Sequence, residues 1–223
     1  MGIVRMGCPE ELILQMKTKF NIEEFIETGT YKGNTCIWAT RHFDTVQTIE
    51  NSKIIFDKYA DKLGKYNNIK RHFGNSSELL KEVIDSNKTQ VFWLDAHWCG
   101  GDTYGDDDEC PLLEELDLLK NNTHENSIIL VDDARLFLSP PYLPHVSKNW
   151  PTIHDITDKL SSTHYVAIFE DVIFIGSKKN EEEYIHQLQL YTTNQFNLRK
   201  KRIGRLTHKL LHYATLVEQK IFG

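Results

Sequence analysis

The sequence predicts an α/β domain on a doubly wound, mostly parallel sheet that ends in an antiparallel hairpin. Three observations carry this. Short β-branched or apolar runs alternate with helical stretches from residue 24 to residue 131, the rhythm that parallel crossovers require. One such run, Gln90-Val91-Phe92-Trp93-Leu94, is almost continuously apolar, as a strand covered on both faces is. Finally, Tyr165–Phe169 and Val172–Ile175 are separated by Glu170-Asp171 alone, too short for a crossover and long enough only for a hairpin.

Each element has a local reason. A short helix from Pro9 to Lys19 leads into a first strand near Glu24–Glu27, and a helix follows over Thr35–His42. Thr45–Glu50 alternates and is β-branched, hence a strand. Ser52 caps a helix running through Tyr59 to Leu63, with Ile54, Ile55, Phe56 and Tyr59 on its apolar side. Asn68–Phe73 is a third strand, after which Ser76 or Ser77 caps the helix Glu78–Asp85. Pro111 opens the helix Leu112–Lys120, and Ser127–Val131 is the fifth strand. The proline-bearing stretch from Leu138 to Trp150 reads as an irregular loop, Thr152–Leu160 as a helix, and everything after Asn180 as helical. The domain is expected over residues 1–178, with a helical extension over 179–223.

Composition narrows the function. With 223 residues, 40% of them hydrophobic, the chain can bury one substantial core. A net charge of −6 provides no dominant basic surface for a phosphate backbone, so nucleic acid is not expected as a partner. No apolar run is long enough to span a bilayer, and the first residues lack an apolar leader, so the expected location is cytoplasmic. Cys8, Cys36, Cys99 and Cys110 are scattered and read as reduced thiols, although Cys99 and Cys110 flank one loop and could pair or bind metal with His97. The acids from Asp102 to Glu109 lack the spacing of a calcium loop and read as solvated. Arg199–Arg202 is a basic cluster read as a solvated helix face, and the amphipathic end from Leu206 to Phe222 packs on the domain or on a second copy of the chain, leaving a homodimer open.

In open parallel sheets, ligands bind outside the carboxyl ends of the strands. There this chain carries Glu27, Glu50, Ser76, Asp95 and the pair Asp132-Asp133. The first of these ends runs Phe25-Ile26-Glu27-Thr28-Gly29-Thr30-Tyr31-Lys32-Gly33-Asn34-Thr35, a strand, glycine turn and helix start of the kind that holds nucleotide-type cofactors. Glu50 follows Gly29 at the spacing of an acid that accepts from ribose hydroxyls. Asp95, Asp132 and Asp133 converge from two strands and would repel unless a cation joined them; hard oxygen donors suit Mg²⁺, Ca²⁺ or Mn²⁺. His97, two residues beyond Asp95, is a further ligand, a general base or a loop histidine bonded to backbone. Trp98, Tyr104, Phe137 and Trp150 are candidate pocket walls.

Together these residues resemble class I S-adenosylmethionine-dependent methyltransferases, over roughly Glu24 to Lys178, and most of all the metal-dependent macrocin O-methyltransferase type that methylates sugar hydroxyls. Tyr31 and Lys32 stand where many such enzymes have another close glycine. The resemblance implies a Rossmann-like, seven-stranded sheet with one antiparallel strand. It places the cofactor on Glu27, Thr28, Gly29, Tyr31, Gly33, Asn34 and Thr35, its ribose on Glu50 and Asn51, and its adenine by Asn75 and Ser76, with Asp95 also in contact. It implies metal, most naturally Mg²⁺, on Asp95, Asp132 and Asp133, and a proton taken by His97 or Asp95. The expected activity is thus metal-assisted O-methylation of a hydroxyl on a sugar or glycosylated small molecule. Two alternatives stay open: an NAD-type oxidoreductase, which shares the glycine turn but has no need of three aspartates, and a non-catalytic binding module on the same fold.

Overall fold

The computed structural model describes residues 6–98 and 109–222, with 202–222 described as backbone alone. Cys99, Tyr104 and the acids from Asp102 to Asp108 lie outside the described residues, as do the side chains of the amphipathic end. Among the described residues, seven strands form one sheet: β1 (Glu24–Thr28), β2 (Thr45–Glu50), β3 (Ile69–Phe73), β4 (Gln90–Leu94), β5 (Ile128–Val131), β6 (His164–Phe169) and β7 (Val172–Ser177). Their order is β3-β2-β1-β4-β5-β7-β6. The first five are parallel; β7 pairs antiparallel with both β5 and β6. The helices are α1 (Glu10–Phe20), α2 (Asn34–Ala39), α3 (Lys53–Lys58), α4 (Ala60–Leu63), α5 (Ser76–Val83), α6 (Leu112–Asn122), α7 (Arg135–Leu138), α8 (Ile153–Leu160) and α9 (Glu181–Phe222).

Period-two alternation sorts the strand side chains. Ile26 of β1 joins Phe92 and Leu94 of β4 and Ile129 and Val131 of β5 in a core closed by Leu80, Val83, Leu116, Leu119, Ile156 and Leu160 from α5, α6 and α8. Phe25, its neighbour in sequence, points the other way and packs its ring 6.0 Å from Trp38 and 5.6 Å from Phe43. Both faces of the central strands are therefore covered, and all five residues of β1 and of β4 are buried.

Three local expectations need correction. The helix after Ser52 breaks at Tyr59 into α3 and α4, and Ile54 is exposed while Ile55 is buried. Adjacent helical residues diverge by about 100°, so one of the two isoleucines has to leave the core. The cap of α5 is Asn75, whose carboxamide oxygen accepts from the Ser77 amide at 3.0 Å, rather than either serine. The loop before Trp150 opens with α7 and holds a 3₁₀ turn at Ser147–Asn149. The chain divides into Met1–Glu181, which carries the sheet, and Glu182–Gly223, helical as far as Phe222. No described helix is long and apolar enough to cross a membrane.

Candidate cofactor and acceptor site

A row of backbone hydrogen bonds ties together the carboxyl ends of the parallel strands. Gly74 N donates to Glu50 O, Gly29 N to Ile49 O, Asp95 N to Thr28 O and Asp132 N to Leu94 O, each at 3.0 Å. Each residue that leaves a strand is thus pinned to the end of its neighbour, which brings the acidic residues to one edge. The strand order reverses between β1 and β4, and the glycine turn opens at that point.

In that turn Gly29, Tyr31 and Gly33 all have positive φ, at 84°, 44° and 67°. Gly29 has no room for a side chain, since a Cβ there would lie 2.1 Å from the Asp95 carbonyl oxygen. A Cβ on Gly33, the N-cap of α2, would lie 2.5 Å from a Leu63 methyl carbon. Tyr31 is a bulky residue in left-handed backbone, and such strain persists only where the surroundings fix it. Here Glu50 fixes it, one carboxylate oxygen accepting from the Tyr31 amide at 2.9 Å and the other from the Ser52 amide at 2.8 Å. Deeper in, Thr30 and Thr48 share a 2.6 Å hydrogen bond and Thr48 donates to Glu27 at 2.8 Å. Burial pushes the Glu27 carboxyl up to about 8, against the pull of hydrogen bonds from Thr48, Cys36 and Thr35. Burial and the adjacent Glu27 raise the Cys36 thiol, whose single proton has both Glu27 and, at 3.3 Å, Gly33 O as acceptors within reach. The Thr28 hydroxyl is buried without a hydrogen-bond partner among the described residues.

The second half of the site is acidic. Oxygens of Asp132, Asp133 and Asp171 lie within 4.8 Å of one another, in a group that does not include Asp95. Asp171 comes from the β6–β7 turn. Because β7 runs antiparallel to β5, with Val131 opposite Ile173, the residue before β7 has to sit beside the end of β5. Arg135 bridges the group, 2.7 Å from Asp133 and hydrogen-bonded to Asp171. His97 is buried with Nε2 3.0 Å from Asp133 and Nδ1 3.6 Å from Asp95. The aspartates respond differently. Burial works to raise Asp133, but the hydrogen bonds from His97 and Arg135 hold it below the usual carboxylate value. Burial, then the Asp133 charge, lifts Asp132 to about 6, and burial with Asp132 raises Asp95. Both rises come first from burial and then from repulsion between the aspartates, which His97, and for Asp132 Arg135 as well, only partly offsets.

An aromatic wall adjoins His97. The Trp150 ring lies 5.4 Å from His97, 5.0 Å from His145 and 5.9 Å from Phe137. Trp150 Nε1 donates to Glu109 at 2.6 Å, and the Val146 amide donates to the same carboxylate at 3.1 Å. Glu109 was expected in a solvated acidic loop; it is buried, and it ties the 139–150 segment to the chain beside Trp98.

Of the residues predicted for the site, Glu27, Thr28, Gly29, Tyr31 and Gly33 lie in or beside the turn, with Thr35 hydrogen-bonded to Glu27. Asn34 is exposed and accepts from Lys62 at 2.9 Å. Asn51 follows Glu50 half-buried, and Ser76 is buried at the start of α5 beside Asn75. Sequence reasoning missed Asp171, Arg135 and Glu109. The hairpin topology signals the first, whereas no sequence pattern signals the other two.

No family model matches the chain, and no curated protein sequence matches it. Solved structures do. A Staphylococcus aureus protein provisionally assigned as a caffeoyl-CoA O-methyltransferase shares 14% identity over 78% of this chain and 86% of its own, with a TM-score of 0.55. A Streptococcus mutans protein provisionally assigned as a methyltransferase, solved in complex with SAH, shares 10% over 78% and 99%, also at 0.55. An rRNA methylase from Streptococcus thermophilus shares 8% over 78% and 98%, at 0.50. At these identities the likeness is one of fold: the sheet domain has the Rossmann-like methyltransferase fold.

Proposed function

We propose that this chain is an S-adenosylmethionine-dependent O-methyltransferase acting on a hydroxyl of a sugar or glycosylated small molecule, assisted by a divalent metal ion. The observation that carries the reading is the Gly29–Gly33 turn, with three left-handed residues at the point where the strand order reverses. Other features support it. The buried Thr28 hydroxyl, beside buried Glu27, is a group that the amino-acid end of the cofactor would satisfy, and each Glu50 oxygen, already accepting one backbone amide, keeps a lone pair for ribose hydroxyls. Asn75 and Ser76 would flank the adenine. The net charge of −6 favours a small acceptor over nucleic acid.

The acidic group fits a hard cation, because oxygens of Asp132, Asp133 and Asp171 lie close together, and an ion there would offset the repulsion that, after burial, makes Asp132 hold a proton more readily than a free aspartate. Bound S-adenosylmethionine would supply a methyl group on a sulfonium. An ion on Asp95, Asp132 and Asp133, with Asp171 alongside, would supply positive charge beside the acceptor hydroxyl. The chain's own residues do the rest. With its Nε2 proton donated to Asp133, His97 takes the hydroxyl proton at Nδ1, and the imidazolium then lies between Asp133 and Asp95. Asp133 and Trp150 orient the imidazole, and Phe137 and Trp150 keep water from it. Positioning and charge placement supply most of the rate.

The test is transfer of a radiolabelled methyl group from S-adenosylmethionine to a panel of glycosides and small hydroxyl compounds. Asp132→Asn should abolish transfer while S-adenosylhomocysteine still binds with nearly parental affinity. If cofactor binding is lost along with transfer, the metal role assigned to Asp132 is refuted.

A further inference from the structure

At the end of the sheet away from the acidic residues, a cavity of about 280 Å³ opens between the start of β5, the end of β7 and the start of β6. Its charged and imidazole side chains are Lys120, His124, His164, Lys178 and Lys179, facing one carboxylate, Glu125. In a chain of net charge −6 this is a local excess of positive charge.

The lysines are partnered, though loosely. Lys120 lies 2.8 Å from Asp117, Lys178 donates to Ser161 O, and Lys179 lies 2.5 Å from Glu125. The Lys179–Glu125 pair is exposed on both sides, and pairs of that kind exchange partners at little cost. The imidazoles are set as donors. His124 Nδ1 accepts from the Asn126 amide at 3.1 Å, which places the His124 proton on Nε2. His164 is buried, with Nδ1 2.8 Å from the Thr163 hydroxyl, so a proton given by Thr163 leaves Nε2–H as the ring's donor. Burial, and after it the charge of Lys120, hold His164 below the usual histidine value, which keeps the imidazole neutral at pH 7. Ser127 and Ser177 add hydroxyls to the wall.

We propose that this cavity binds a small phosphate-bearing molecule, its phosphate held by Lys120, Lys179 and the two imidazoles. Phosphate presents several strong acceptor oxygens, which matches a wall of ammonium, imidazole and hydroxyl donors. The volume is close to the lower bound, about 300 Å³, of small-molecule sites. That leaves room for a phosphomonoester with a small body and excludes a dinucleotide. The site is separate from the methyl-transfer site and stands or falls without it.

The test is an NMR titration of the full chain at constant ionic strength, with inorganic phosphate in one arm, glycerol 3-phosphate in a second and chloride in a third. The His124 and His164 ring signals are assigned through His124→Gln and His164→Gln. Expected are saturable shifts of both signals with the phosphate compounds, none with chloride, and affinity weakened roughly tenfold or more in Lys120→Met and in Lys179→Met. Lys179 is exposed, so its variant tests binding without burdening the fold. Tighter binding of glycerol 3-phosphate identifies a phosphomonoester ligand, and equal binding identifies free phosphate. Shifts that fail to saturate, match those in chloride, or survive both lysine variants unchanged would overturn the proposal.

Discussion

Burial lifts the Glu27 carboxyl from its usual 4.5 to about 8, and the sign of the effect on stability follows. Between those values the folded chain holds a proton that the unfolded chain has released. Stability from this group is therefore complete at low pH, falls as pH rises through the window, and is lost above 8. At about 1.4 kcal/mol per unit the loss amounts to roughly a few kcal/mol. Glu27→Gln should accordingly gain stability over the parent as pH rises from 5 to 9, in urea unfolding at each pH; a constant difference would contradict the assignment. Gly29 is decided by sterics rather than charge. Gly29→Ala places a Cβ against the Asp95 carbonyl and adds the left-handed penalty of about 1–2 kcal/mol, so it should lower the melting temperature by several degrees and weaken S-adenosylhomocysteine binding. Tyr31→Gly should do the reverse for stability, because the backbone is held through its amide on Glu50 while the exposed ring has the Lys32 ammonium 4.9 Å away, a contact worth little at such a site. A lowered melting temperature for Tyr31→Gly would show that the ring itself supports the turn.

At the scale of elements, two hydrogen-bonded side chains hold the site's frame. Asn75 caps α5 just past the end of β3, and Asn75→Ala should cost about 1 kcal/mol in chemical denaturation with the sheet otherwise intact. Glu109 is the more consequential of the two. Its carboxylate satisfies both Trp150 Nε1 and the Val146 amide, and Glu109→Ala leaves two donors without that acceptor at about 1–3 kcal/mol each. Hydrogen exchange should then speed up over 139–150 and leave β1, β4 and β5 unchanged. Equal acceleration in the central strands would mean that Glu109 supports the whole domain rather than this segment.

Over the whole molecule, the sheet was legible because its signals are local. Apolar runs, the glycine turn and the two-residue hairpin each sit within a few residues of sequence, and each appears as a strand or turn in the structure. The acids at the strand ends were legible for the same reason, since strand ends define the binding edge. What escaped was non-local. Asp171 reads as an ordinary turn acid until the hairpin inserts β7 next to β5 and carries it to Asp132 and Asp133. Arg135 reads as one more surface cation until α7 turns it back onto Asp133 and Asp171. Glu109 read as solvated because its partners, Val146 and Trp150, lie about forty residues away in the chain. The central claim is that the β1–α2 turn is a cofactor site, and calorimetric titration with S-adenosylhomocysteine, with and without Mg²⁺, tests it most directly. The account predicts saturable binding in the micromolar range, and the absence of binding under both conditions would contradict it.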